Sequence, residues 1–99
     1  MNIVTSDCGD YLRLIVDGRV DTNTSPHLQQ AILTAFQKKN DVVVDFLNVS
    51  IISSAGLRAL LIGQKTAESK GGSMKLANVS ETVQSILEMT GFHKILTLV

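Results

Sequence analysis

The chain has 99 residues with no tryptophan, one proline and one cysteine. The lone thiol, Cys8, closes no internal disulfide, which fits a reducing compartment and reads as an ordinary free cysteine. Three phenylalanines and one tyrosine are the only aromatics. They form no stripe with basic residues, so stacking on single-stranded nucleic acid is not expected. Charge of one sign is also missing: nine Lys and Arg balance nine Asp and Glu, for a net charge of zero. Without a basic field, non-specific nucleic-acid binding is not expected. No run approaches the roughly 18 apolar residues of a membrane span. The first residues show neither the basic stretch nor the apolar run of a signal peptide, so a cytoplasmic location is expected.

Catalytic patterns are missing too. The two histidines, His27 and His93, lie far apart in sequence, and no cluster has metal-ligand spacing. No Gly-x-Ser-x-Gly elbow is present. Gly71-Gly72 lacks the Lys-Ser/Thr of a phosphate-binding loop. A small enzyme with Ser54 as nucleophile has the weakest support, since neither base nor oxyanion hole is visible.

Hydrophobic content of 44% and charged content of 18% describe one globular domain over residues 1–99. Its organising stretch is DVVVDFLNVSIISSAGLRALLIG, from Asp41 to Gly63. Val42-Val43-Val44, closed by Asp45-Phe46, is short and β-branched and predicts a buried strand. A polar step, Asn48 to Ser50, and then Ile51-Ile52 lead to Ser53-Ser54-Ala55-Gly56. Leu57, Leu60 and Leu61 then recur at helical spacing. Ser53 or Ser54 suits the N-cap of that helix. Ala55 and Gly56 carry no bulk and keep the approach to the serines open. Arg58 falls one turn into the helix.

In chain order, Met1 to Thr5 predicts an edge strand, and Cys8-Gly9-Asp10 a hairpin turn. Tyr11 to Val20 alternates, with Leu12, Leu14 and Val16 on one face. Gly18 to Thr24 reads as a turn. Ser25-Pro26 supplies an N-cap and a first-turn proline for a helix whose stripe is Leu28, Ala31, Ile32, Ala35 and Phe36. The central helix should end near Lys70, before Gly71-Gly72. Met74 to Ala77 predicts a strand. Ser80-Glu81 opens a third helix, with Val83, Ile86, Leu87 and Thr90 inward and Gly91 at its end. Ile95 to Val99 predicts a last strand, and Met74 and Met89 are expected in the core. The order β-β-α-β-α-β-α-β implies an α/β domain: a mixed sheet with helices packed against it.

The segment DFLNVSIISSAGLRALL resembles the signature of STAS domains, and among them the bacterial anti-sigma factor antagonists. Asp45, the pair Ile51-Ile52, Ser54, Gly56 and Leu57 match that pattern, as do Gly18, Val20, Asp21 and Thr24 in the earlier turn. One position departs: the acidic residue that precedes the acceptor serine in the family is Ser53 here. The resemblance implies a STAS-like mixed sheet and a partner-switching role, that of a binding protein and not an enzyme, with no catalytic residue, no metal and no cofactor. Ser54 would be the phosphoacceptor, with Ser53 as the second candidate. Asp21, Thr24, Ser53, Ala55, Gly56 and Arg58 would meet the partner, with Asp21 and Asp45 organising the loop. The implied partners are an anti-sigma factor that is also a serine kinase, and a PP2C-type phosphatase. The departure at Ser53 keeps open a second reading, a STAS scaffold subunit of a signalling or lipid-transport complex with no phosphorylation cycle.

Overall fold

Each stretch of β-branched alternation becomes a strand, and each 3.6-residue stripe a helix. The computed structural model describes residues 1–99. Strand β1 spans Asn2–Asp7 and β2 spans Leu12–Val20. Helix α1 (Ser25–Lys38), strand β3 (Asp41–Ile52) and helix α2 (Ser54–Ser69) follow. Strand β4 (Ser73–Ala77), helix α3 (Glu81–Thr90), a 3-10 turn at Phe92–Lys94 and strand β5 (Thr97–Leu98) complete the chain. The expected order of elements is the observed one.

The five strands form one sheet in the order β1-β2-β3-β4-β5. The β1–β2 hairpin is antiparallel and every later pairing is parallel. All three parallel crossovers step in the same direction across the sheet. A right-handed crossover then places α1, α2 and α3 on one face and leaves the other without a helix. Leu12, Leu14, Val16, Val42, Val44, Phe46, Met74 and Leu76 from the sheet meet Leu28, Ile32, Phe36, Leu57, Leu60, Val83 and Leu87 from the helices in one core. Burying a side chain of this size contributes about 1.5–3 kcal/mol each.

The central strand is longer than its sequence suggests. The polar step at Asn48 to Ser50 is not a loop: β3 runs unbroken to Ile52. Its register against β2 slips twice. Ile15 pairs with Asp45 but Asp17 with Asn48, and Gly18 pairs with Val49 but Val20 with Ile52. Each slip inserts one extra residue on β3, a bulge that changes the side-chain parity. The buried positions therefore read Val42, Val44, Phe46, then Val49, then Ile52.

Other boundaries move by similar local causes. Strand β2 continues through Gly18 to Val20, so the turn is confined to Asp21 to Thr24. Ser25 is not the cap of α1: Thr24 holds that place, and Ser25 is buried inside the first turn. The last strand shrinks to Thr97–Leu98 because the 3-10 turn uses the residues before it. Thr90 faces solvent and bonds back to Ile86 O at 2.8 Å. Met89 is 80% exposed, so of the two methionines only Met74 joins the core. Gly91 ends α3 in the left-handed conformation, φ 78°.

Candidate functional site

The site lies where β3 hands over to α2. Ser53 N–H donates to Val20 O at 2.8 Å, which ties the end of β3 to the end of β2. Ser53 is the N-cap of α2: its backbone is extended and its Oγ accepts from Gly56 N–H at 3.3 Å. Ser53 O accepts from Leu57 N–H at 2.9 Å, the first intrahelical bond. Of the two cap candidates, Ser53 takes the structural duty.

Ser54 is therefore the first helical residue. It is exposed, and its hydroxyl bonds to no protein group. The N–H groups of Ser54 and Ala55 have no intrahelical acceptor, as the first N–H groups of any helix do not. The end of the helix carries a partial positive charge and no acidic residue in its first turn. The arrangement offers a free hydroxyl in a field that suits an added anion.

Gly56 is not part of the exposed surface. It is buried, and a Cβ there would stand 2.5 Å from Val20 Cγ1 and 2.7 Å from Ile52 Cγ1. Its missing side chain brings α2 onto the ends of β2 and β3; it does not clear a path to the serines. Ala55 is half-buried beside it, while Arg58 is exposed and has no ion-pair partner. Ser54, Arg58, Ile62 and Lys65 are all exposed and follow one another at helical spacing along the outer face of α2.

The turn after β2 sits beside this handover, because Val20 pairs with Ile52. Asp21 Oδ1 accepts from Asn23 N–H at 2.9 Å and Thr24 N–H at 3.0 Å. Thr24 Oγ1 donates to Arg19 O at 2.7 Å and accepts from Asp21 N–H at 2.9 Å. The Thr24 N–H holds the Asp21 carboxyl below its ordinary 3.8, outweighing desolvation, with the Thr24 hydroxyl, Asn23 N–H and Arg19 adding to it. Both side chains thus shape their own turn first.

Asp45 does not join the site. It lies seven strand residues before Ile52, roughly 20 Å along β3 at about 3.3 Å per residue. Its carboxylate is nearly buried on the helix-free face. Oδ2 accepts from Arg13 at 2.8 and 3.2 Å, and Oδ1 accepts from Leu47 N–H at 2.9 Å and Asn78 Nδ2 at 3.1 Å. Burial pushes this carboxyl up, but the bonds from Leu47, Asn78 and Arg13 together hold it below 3.8. Asp45 therefore staples β2, β3 and the β4–α3 loop. No cluster of three His, Cys, Asp or Glu could hold a metal ion, and no helix is long and apolar enough to cross a membrane.

Sequence reasoning missed Ile62, which is exposed between Arg58 and Lys65. Its place in an apolar helix hides it among core leucines. Only the i, i+4 spacing from Arg58 could have put it on the outer stripe.

A family model described as STAS domain matches residues 3–99. The anti-sigma-B factor antagonist of Bacillus subtilis is 25% identical over 98 residues, which cover 99% of this chain and 90% of that protein. A solved anti-sigma factor antagonist from Mycobacterium paratuberculosis superposes with a TM-score of 0.87 at 22% identity, covering 98% of this chain and 83% of that one. The anti-sigma factor antagonist SpoIIAA superposes in its unphosphorylated form with a TM-score of 0.82 at 18% identity, covering 99% of this chain and 88% of that one. In its phosphorylated form the values are 0.75, 17%, 99% and 91%.

Proposed function

The chain belongs to the STAS domain family, and from that premise we propose that it is an anti-sigma factor antagonist that works by partner switching. It acts by binding, in the cytoplasm, not by catalysis. Unphosphorylated, it captures an anti-sigma factor that is also a serine kinase. That kinase phosphorylates Ser54 and the complex comes apart. A PP2C-type phosphatase restores the hydroxyl. The ATP belongs to the kinase, so this chain needs no cofactor of its own.

One observation carries the reading: Ser54 keeps a free, exposed hydroxyl at the helix start while Ser53 does the capping. A phosphate there meets the helix dipole and the two free N–H groups of its own domain. The fold is unharmed, whereas a partner resting on the same loop meets new bulk and charge. The contact surface comprises Ser53, Ser54, Ala55, the outer edge of α2 at Arg58 and Lys65, and the turn at Asp21 and Thr24. Gly56 contributes from below, by setting the height of the helix.

Incubation with a candidate anti-sigma factor kinase and ATP, followed by peptide mass spectrometry, tests this. The expected result is one phosphate on Ser54. Absence of phosphate from residues 50–56, or a Ser54→Glu chain that binds the kinase as tightly as wild type, rejects it. Ser53, standing where the family pattern is acidic, favours a second reading: a STAS scaffold subunit without a phosphorylation cycle. Co-purification with a transporter ATPase and no kinase would select that reading.

A further inference from the structure

The two edges of the sheet are built differently. The β5 edge is two residues long. The β1 edge is six residues long, Asn2–Asp7, and pairs only with β2, so its outward N–H and C=O groups have no partner. Protected edges carry lysine, proline, a bulge or a cover. From Asn2 to Ser6 the chain has no charged residue and no proline, and its register against β2 is unbroken. At its centre Val4 is 51% exposed. We propose that this edge is a homodimer seam, in which β1 pairs antiparallel with β1 of a second copy and continues the sheet to ten strands.

The occupant follows from the self-complementarity of the strand. A two-fold axis perpendicular to the sheet keeps each residue opposite one on the same face. Centring that axis on Val4 sets Val4 against Val4 of the second copy. Asn2 then faces Ser6, and Ile3 faces Thr5. Each row is matched: apolar on apolar at the axis, amide on hydroxyl at its flanks, β-branched on β-branched on the helix side. No like charges are brought opposite one another. Asn2, Val4 and Ser6 lie on the helix-free face in register with Asp17, Ile15 and Arg13, so Ile15 backs the Val4 pair.

The helix side of the same edge is also unfinished. Between β1 and α1 runs a groove of about 220 Å³, lined by Thr5, Leu12, His27, Gln30, Ala31 and Thr34 among others. Thr5 of β1 and Leu12 of β2 line it opposite the α1 side chains, and a sheet continued past β1 would border its open side. Six residues of edge form a small seam beside the roughly 1,200–2,000 Å² of a standard interface, so the dimer is reversible and concentration-dependent. The seam lies two strands from β3. Both Ser54 loops stay open, and one dimer presents two of them.

Sedimentation of the whole protein over a concentration series tests the proposal, with Val4→Lys as the disrupting variant and circular dichroism to check its fold. Wild type should pass reversibly from monomer to dimer, and Val4→Lys should weaken the dimer at least about tenfold by placing like charges directly opposite. Ser54→Glu should dimerise as wild type, which separates this seam from the switch. Amide exchange in residues 2–6 should slow as concentration rises. A wild-type protein that stays monomeric to about 1 mM overturns the proposal. So does a Val4→Lys chain that dimerises equally well, or exchange in residues 2–6 that ignores concentration.

Discussion

Phosphorylation of Ser54 should raise the stability of this domain while lowering its affinity for the partner. The two effects have opposite sign because the same charge meets different surroundings on its two sides. Inside the domain, about −1.5 to −2 charges arrive at the first residue of α2. At the helix start the N–H groups of Ser54 and Ala55 are unpaired, and Arg58 stands one turn on. Anions at such a terminus stabilise by about 0.3–1 kcal/mol at low ionic strength. For a domain of this size about 1 kcal/mol moves the thermal midpoint by about 4–8 °C. A rise of about 1–8 °C is expected, shrinking as salt screens the terminus.

Across the interface the sum runs the other way. A partner carboxylate about 4 Å from the new phosphate costs on the order of 4 kcal/mol at an effective dielectric near 20. That converts to an affinity loss of roughly 1000-fold. Calorimetric melting of the two forms at low and high salt measures the first effect, and titration calorimetry with the anti-sigma factor measures the second. A phosphorylated form that melts several degrees lower would refute the picture of an anion received by the helix end. An affinity changed less than about threefold would refute the switch, since that is under 1 kcal/mol.

Three substitutions separate the scaffold from the signal. Ser53→Ala removes the cap on Gly56 N–H and should cost about 1 kcal/mol in urea unfolding, while Ser54 is still phosphorylated; an unchanged midpoint would remove Ser53 from the capping role. Gly56→Ala forces a Cβ to 2.5 Å from Val20 Cγ1; overpacking less the gain in helix propensity gives a net loss of about 1–2 kcal/mol, and a more stable protein would show that α2 can lift off the sheet at no cost. Asp45→Asn loses the Arg13 ion pair and should cost about 1–3 kcal/mol at pH 7. Because the Asp45 carboxyl is held below 3.8 in the folded state, its contribution is complete above that pH and is lost as the pH falls below it. The variant's unfolding free energy should therefore fall less steeply in acid than that of wild type, and parallel acid titrations would dismiss the assigned bonds.

The parts of the fold written as period survived the reading of the sequence. Val42-Val43-Val44, the alternation of Leu12, Leu14 and Val16, and the α1 stripe each declare one face. The parts written as exceptions to period did not. Two bulges shift the buried parity of β3 from even to odd and back, so Val49 and Ile52 look like fragments beyond a loop when they are core. Gly56 looked like clearance around a hydroxyl because its neighbours in sequence are small. Its contact lies across the fold, on Val20. Asp45 was drawn toward Ser54 by a signature that compresses a long strand into a short string of letters. Met89 shows the converse: an apolar residue in a helix says nothing about which side faces the sheet.

Ser53, where the resemblance leads one to expect an acidic residue, bears most directly on the proposed switch. Serine and aspartate are equivalent N-caps, so Ser53 preserves the helix start that an acidic residue would provide. What changes is the charge beside the acceptor. An aspartate at 53 would stand within about 6 Å of a phosphate on Ser54, a repulsion of roughly 1–3 kcal/mol per pair of unit charges across the dielectric range of a protein surface. Asp21, the remaining carboxylate beside the handover, already spends Oδ1 on Asn23 and Thr24. A phosphate placed on Ser54 would therefore meet less self-repulsion here than in a chain with aspartate at 53. If Ser54 is the acceptor proposed above, serine at 53 favours its phosphorylated state; in the scaffold reading the same serine only caps α2.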